Sequence, residues 1–260
     1  ALNGAAGIAL AYILMPLAFV TWLAFFRQEI PSFPPEGYSL RWFASILDQP
    51  KFVEGFRMSF QVGVLATALG LVLGVPAALA VVRGRFRLRP TLAQLLMMPL
   101  IVPGVVLGTA MYVFEVEAEN GLDVDVLGTF YALVAGHTVI VIPWVVRLVT
   151  ASLAGVDRSI EEAAQNLGAN AFVTFRRITL PAIRPGIVAG GLFAFVTSFG
   201  NLEMSLFLVG PGRTTLPIVV LQYLEWKIDP TIAAVSVVQI LLIAIAMLIT
   251  DRYVKLARVV

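Results

Sequence analysis

Six long stretches without a charged side chain occupy most of this sequence. They cover residues 1–26, 58–82, 90–114, 126–146, 185–202 and 230–250. The fifth stretch is interrupted by Glu203 and then stays apolar as far as Leu208. A helix needs roughly 20 apolar residues to cross a hydrocarbon core about 30 Å thick, and in lipid a helix satisfies its own backbone hydrogen bonds. Alternation at period two, which marks membrane β-strands, is missing. The pattern predicts an all-α polytopic membrane protein with six transmembrane helices, forming a single membrane domain over residues 1–260.

The composition agrees with a lipid environment and excludes several classes of function. Hydrophobic residues make up 59% of the chain and charged residues 13%, whereas a soluble domain carries about 25% charged residues. There is no cysteine and one histidine, which predicts no disulfide, no metal site and no cysteine nucleophile. The sequence also has no Gly-x-x-x-x-Gly-Lys-Ser/Thr phosphate loop, so we expect neither a catalytic site nor an ATP site in this chain.

The charged residues are sorted between alternate loops. Most of the basic residues fall in three segments and comprise Arg83, Arg85, Arg87, Arg89, Arg147, Arg158, Arg176, Arg177, Arg184, Arg252, Lys255 and Arg258. The acids cluster in another loop and include Glu115, Glu117, Glu119, Asp123 and Asp125. The positive-inside rule therefore predicts that both termini, the arginine loop and the segment 147–184 are cytoplasmic. The same rule accounts for the net charge of +2 without a nucleic-acid partner. The 83–89 run is expected to meet anionic lipid.

Proline and amphipathic patterns add local expectations. Four of the apolar stretches contain internal prolines, namely Pro16, Pro76, Pro99 with Pro103, and Pro143. Because proline removes a helical hydrogen bond, we expect bent spans at these positions. The stretch 40–47 has the pattern of a short amphipathic helix on the outer surface.

The cytoplasmic segment 157–181 carries the most specific pattern. Asp157 and Ser159 are suitable N-caps, and acids follow in the first turn, where the helix dipole favours them. Gly168 is expected to end this helix. A second short helix is expected to run to about Ile178 and to stop at Pro181. Such an elbow, with an apolar side facing water, needs a protein partner to cover it.

The spacing in this segment resembles the EAA motif of ATP-binding-cassette (ABC) importer permeases. The matching positions are Glu162, Ala163 and Ala164, then Gly168 with Ala169, then Ile178, Leu180 and Pro181. The resemblance implies that these residues form a coupling helix that docks on a cytoplasmic ATPase. It further implies a type I permease fold in a bacterial inner membrane, two partner ATPase subunits that bind ATP and magnesium, and a periplasmic or lipid-anchored solute-binding protein.

Other parts of the chain resemble the spermidine/putrescine-type branch of that family. They are residues 98–108, the pair Ser198 and Phe199, residues 205–217 and residues 228–234. The resemblance implies a second, different permease subunit, with a homodimer as the alternative, and a polyamine or related amine as the solute. Polyamine permeases carry an acidic pair after the Ser198 position, where this chain has Gly200 and Asn201. Ferric iron, an opine or a phosphonate therefore stay open as solutes, as does a non-transporting scaffold or sensor subunit.

Five polar residues inside the predicted spans are candidates for the solute pathway. They are His137, Ser198, Asn201, Glu203 and Gln239. Polar groups at membrane depth are candidate functional sites because leaving them in lipid is costly. The alternative is that they form hydrogen bonds to neighbouring helices, and for His137 this alternative is the commoner role.

Overall fold

A computed structural model describes residues 2–254 of the chain, with the side chains of residues 4–252. Ala1 of the first predicted span, and Lys255 and Arg258 of the basic tail, lie outside the described residues. The described helices are α1 (Leu2–Leu23), α2 (Arg41–Leu47), α3 (Pro50–Arg83), α4 (Arg89–Met97), α5 (Gly104–Leu122), α6 (Phe130–Ala154), α7 (Arg158–Asn166), α8 (Ala171–Thr174), α9 (Leu180–Phe199), α10 (Leu202–Leu208), α11 (Leu216–Trp226) and α12 (Thr231–Val254). Over this range there is no β-strand, only two isolated bridges.

The prediction of an all-α chain with six spans is confirmed, with one span broken. Five helical segments are long and apolar enough to cross a membrane: Gly4–Leu23, Pro50–Arg83, Phe130–Ala154, Ala171–Phe199 and Thr231–Arg252. The remaining span, third in chain order, is the pair Arg89–Leu100 and Gly104–Leu122, which is bent by 106° at the break. The expected short helix at 40–47 is α2.

The third predicted span differs most from expectation. The span predicted over 90–114, with a bend at Pro99 and Pro103, is present but broken, because the chain leaves the helical path between Leu100 and Gly104. Pro103 has no N–H to continue a helix and disfavours helical geometry in the residue before it. Helix α5 then continues to Leu122, so Glu115, Glu117 and Glu119 lie on the helix instead of in the predicted acidic loop.

Helices α3, α6 and α9 pack together as the centre of the molecule. Helix α3 approaches α6 closely because it presents glycines there. A β-carbon at Gly70 would lie 2.8 Å from Val141 Cγ2, and one at Gly74 would lie 2.8 Å from Val145 Cγ1. Small residues that let helix backbones approach are the usual packing device in membranes. In contrast, α1 lies at the edge against α12, with none of its apolar window buried.

A buried carboxylate joins α11 to α12. Asp229 is 6% exposed and accepts hydrogen bonds from the Thr231 N–H and the Tyr223 hydroxyl, both at 2.8 Å. The Lys227 Nζ lies 3.0 Å from its Oδ2. Burial raises the pKa of Asp229, but the hydrogen bonds from Thr231, Tyr223 and Lys227 outweigh burial and hold this pKa below its ordinary value.

Asp229→Asn is expected to lower the free energy of unfolding by about 2 kcal/mol at neutral pH, because it removes a charged acceptor from three partners. A carboxylate with a depressed folded-state pKa stabilises fully above its unfolded pKa, and that contribution is lost as the pH falls through the folded value. The difference in the free energy of unfolding between the wild type and Asp229→Asn should therefore disappear in acid. Thermal unfolding in detergent at several pH values measures it, with the exposed Asp48→Asn as control. A gap that stays constant in acid would contradict the assignment.

Candidate coupling segment and pathway residues

Helix α7 begins and ends where the sequence indicates. The Asp157 carboxylate accepts the Ser159 N–H at 2.9 Å and caps the helix, and this hydrogen bond lowers the pKa of Asp157. The helix ends at Asn166, and Gly168 has φ +93° with no atom within 4 Å of the position that a β-carbon would take. That backbone conformation favours glycine over residues with a β-carbon.

The chain does not stop at Pro181, so the prediction of a second short helix ending there is wrong. Asn170 accepts the Val173 N–H at 2.9 Å and starts α8. A π-helical turn, Phe175–Thr179, then joins α8 to α9 without a break. Pro181 lies just after this turn, and a local π-helical adjustment is one way in which a continuous membrane helix accommodates a proline, which has no N–H. The helix therefore runs from the elbow directly into the membrane.

The motif residues form an accessible surface around the elbow. Glu162 is exposed, and its carboxylate lies 3.1 Å from the Arg158 guanidinium one turn earlier. Ala163 and Gly168 are exposed, while Ala164, Ala169, Ile178 and Leu180 are partly buried and Pro181 is exposed. Apolar side chains protrude beside them, since Leu167 is 90% exposed and Phe172 is 68% exposed. The elbow thus offers a charged group, a small flat face and two apolar side chains to water.

Glu161, next to the motif glutamate, faces the end of α3 and the start of α9. Its carboxylate accepts the Thr179 hydroxyl at 2.7 Å and lies 3.1 Å from Arg83 Nε. The Nε–H has no hydrogen-bond geometry to the carboxylate, so the contact with Arg83 is an ion pair only. Another guanidinium nitrogen of Arg83 donates to the Val156 carbonyl at 2.9 Å. No sequence pattern indicates this cluster, because its members are far apart in the chain.

Three of the five candidate pathway residues meet in a buried polar cluster. The Nδ1 of His137 lies 2.8 Å from Ser198 Oγ, and its Nε2 lies 3.2 Å from Ser205 Oγ. The Ser205 hydroxyl donates to the Asn201 carbonyl at 2.8 Å. Asn201 also caps α10 by accepting the Met204 N–H. His137 is 1% exposed, so in this conformation it joins α6 to α9 and α10 and does not face an open space. Ser205 completes this cluster, and no sequence pattern predicts that role.

The other two candidates lie apart from that cluster. Glu203 is exposed, and its carboxylate occupies the space that a β-carbon at Gly104 would need. It therefore sits against the first turn of α5, beside the break in the third span. Gln239 is partly buried on α12. Within the described residues it makes no hydrogen bond to the other four candidates.

The sequence matches a known family over most of its length. Residues 70–258 match the family model described as binding-protein-dependent transport system inner membrane component. The putrescine transport system permease protein PotI of Escherichia coli is 32% identical over 201 residues, which are 77% of this chain and 72% of that protein. The spermidine/putrescine transport system permease protein PotC of the same organism is 25% identical over 84% of this chain and 80% of that protein. The molybdenum transport system permease protein ModB of Mycobacterium bovis is 31% identical over 80% of each chain.

Solved structures share the architecture. A chain of the MetNI methionine ABC transporter in an inward-facing conformation superposes with a TM-score of 0.66 at 20% identity, covering 78% of this chain and 94% of that chain. A chain of a bacterial alginate ABC transporter in complex with its periplasmic protein gives a TM-score of 0.72 at 14% identity, covering 96% and 93%. At these identities the likeness shows the fold, which is that of type I importer permeases.

Proposed function

This chain belongs to the family of binding-protein-dependent transport system inner membrane components, and on that premise we propose that it forms, with a second permease subunit, the solute pathway of an ATP-driven importer. It is a permease subunit, and the ATP is bound and hydrolysed by two partner ATPase subunits. A solute-binding protein delivers the solute to the outer face. The importer alternates between inward-facing and outward-facing states, whose populations are set by nucleotide and by the loaded binding protein.

The elbow around α7 carries this proposal. Leu167 and Phe172 project apolar surface into water, and Glu162 stands beside them with its carboxylate accessible. Exposed apolar side chains rimmed by charge are typical of protein contact sites. We infer that this surface docks in a cleft of the ATPase, that Glu162 pairs there with a basic group, and that Gly168 allows close approach.

We propose that the elbow, the arginine loop and both termini face the cytoplasm. The distribution of basic residues supports this orientation. The contact between Arg83, at the end of α3, and Glu161 of α7 also supports it, because the two segments must then lie on the same side of the membrane.

We propose a polyamine or related amine as the solute. The support is the similarity to PotI and PotC, whose names state putrescine and spermidine transport. ModB, whose name states molybdenum transport, has a similar sequence identity, and Gly200 and Asn201 stand where polyamine permeases carry acids. An oxyanion is therefore the second candidate, with ferric iron, opines and phosphonates as further solutes to test.

Copurification tests the assembly. The tagged chain, extracted from its native membrane, should bring down an ATPase and a second permease or binding protein identifiable by mass spectrometry. The binding protein can then be titrated with putrescine, spermidine and molybdate by calorimetry. Tight binding of a polyamine supports the amine assignment, and binding of molybdate alone overturns it. A chain that purifies alone under conditions that preserve related importers would favour a scaffold or sensor subunit.

Glu162→Ala is expected to lower the ATP hydrolysis stimulated by loaded binding protein about tenfold, since coupling between sites is typically worth about 1–3 kcal/mol. The reconstituted importer in proteoliposomes provides the measurement. Gln165→Ala, which alters an exposed side chain on the same helix, is the matched control and should stay near the wild-type rate. Equal rates for Glu162→Ala and Gln165→Ala would contradict the role given to Glu162.

A further inference from the structure

We propose that Arg83, Glu161 and Thr179 form a clamp that passes the movement of the coupling segment to the membrane helices. This inference rests on the proposed function, because it assumes that α7 is displaced by an ATPase. It assigns a positioning role to Glu161, which does not face the docking surface. It also gives Arg83 a role beyond that of a charge that sets the orientation of the chain in the membrane.

The clamp connects four parts of the chain. Glu161 belongs to the first turn of α7, Arg83 is the last residue of α3, and Thr179 is the last residue of the π-helical turn before α9. The hydrogen bond from Arg83 to the Val156 carbonyl adds the segment just after α6. One carboxylate and one guanidinium therefore hold together the cytoplasmic ends of α3, α6 and α9, the three helices at the centre of the molecule.

The two ion pairs of α7 differ in their surroundings. The side chains of Arg83 and Glu161 are 24% and 12% exposed, whereas those of Arg158 and Glu162 are 46% and 60% exposed. Exposed pairs are screened by water and salt and contribute little, while partly buried pairs are screened less. The partly buried pair of Arg83 and Glu161 is thus suited to hold the helices together, while the exposed Glu162 stays accessible to a partner.

The chain between α7 and α9 can bend, so by itself it would transmit the movement of α7 poorly. The clamp supplies a more direct connection. The path along the chain passes through Gly168, where a β-carbon would have no atom within 4 Å beyond the two chain neighbours, and then through a π-helical turn. Wide turns of this kind often occur at functional sites within helices. A push on α7 could be absorbed at either point. The hydrogen bond from Thr179 to Glu161 bypasses both, since it joins the first turn of α7 directly to the start of α9.

The test compares Arg83→Gln, Glu161→Gln and the double variant in the reconstituted importer. Each single variant should reduce the maximal rate of ATP hydrolysis stimulated by loaded binding protein about fivefold to tenfold. The amount of copurified ATPase, and the binding-protein concentration that gives half-maximal stimulation, should not change. Because the two residues act as one unit, the double variant should fall no further than the single variants.

Two controls separate a clamp from general damage. Arg85→Gln removes an exposed arginine two residues away and should keep the wild-type rate. Thr179→Ser keeps the hydroxyl and should behave like the wild type, whereas Thr179→Val should resemble Glu161→Gln. A structural role alone would lower the yield of assembled importer in every clamp variant, and that result would overturn the proposal.

The outcome also separates this inference from the proposed function. Wild-type stimulation in Arg83→Gln and Glu161→Gln, together with its loss in Glu162→Ala, overturns the clamp and leaves the docking surface intact. Additive losses in the double variant overturn the clamp as a single unit. Wild-type stimulation in all three variants, Glu162→Ala included, overturns the proposed coupling function and the clamp with it.

Discussion

Gly168→Asp is expected to reduce ATP hydrolysis by the assembled importer to the rate measured without binding protein, a loss of about tenfold to a hundredfold. In the described chain, no atom lies within 4 Å of the place where a β-carbon at this position would stand. A β-carbon added here therefore contacts no described residue other than the two chain neighbours of Gly168. We expect the larger side chain of Gly168→Asp to obstruct a docked partner.

The backbone conformation of Gly168 accounts for a smaller part of the expected loss, and this part can be measured separately. Gly168 has φ +93°, and a residue with a β-carbon in a left-handed conformation costs about 1–2 kcal/mol. Gly168→Ala carries this cost with a minimal side chain, whereas Gly168→Asp adds bulk and negative charge at the elbow. We expect a partial loss in Gly168→Ala and a complete loss in Gly168→Asp.

Circular dichroism and copurification provide the checks. Both variants should keep the helical signal, because the elbow lies outside the central helix packing, and Gly168→Asp should also retain less ATPase. Gly155→Ala is the matched control, since Gly155 is an exposed glycine near the elbow with φ −80°, where alanine is tolerated. Full stimulation in Gly168→Asp would contradict close approach of a partner at the elbow.

The sequence predicts the helices well, because lipid leaves few alternatives for a long uncharged run. It does not predict which of the four proline-containing spans breaks. Pro16, Pro76 and Pro143 lie inside continuous helices, whereas the turn between Leu100 and Gly104 separates α4 from α5 by 106°. A proline bends a helix only as far as its neighbours permit. Pro103 favours the break, and the Glu203 carboxylate against Gly104 adds a contact at that point that the local sequence does not contain.

The candidate site divides in the same way. The start and the end of α7 depend on local signals, the Asp157 cap and Gly168, and the structure confirms both. The sequence does not predict the π-helical turn, because Pro181 by itself indicates the end of a helix. The clamp depends on contacts between residues 83, 161 and 179. Contacts between residues so far apart in the chain produce no pattern that a single sequence reveals.

His137→Ala is expected to lower the free energy of unfolding by about 2–4 kcal/mol, through a cavity and two lost hydrogen bonds. The Ser205 hydroxyl already donates its proton to the Asn201 carbonyl, so it can only accept from His137 Nε2. The proton of the neutral ring therefore lies on Nε2, and Nδ1 accepts from Ser198. Both nitrogens are satisfied, and without the ring the Ser198 hydroxyl at 2% exposure loses its partner.

Thr138→Ala is the matched control, because Thr138 is also buried but donates only to the Val134 carbonyl of its own helix. Its removal should cost less than about 1 kcal/mol. Thermal unfolding of the importer in nanodiscs measures both variants, and transport assays measure the solute concentration at half-maximal rate. If His137 joins α6 to α9 and α10, His137→Ala lowers the free energy of unfolding and leaves the solute concentration at half-maximal rate unchanged. If stability is unchanged while the half-maximal concentration rises, His137 belongs to the solute pathway, and the buried cluster must open to the solute during transport.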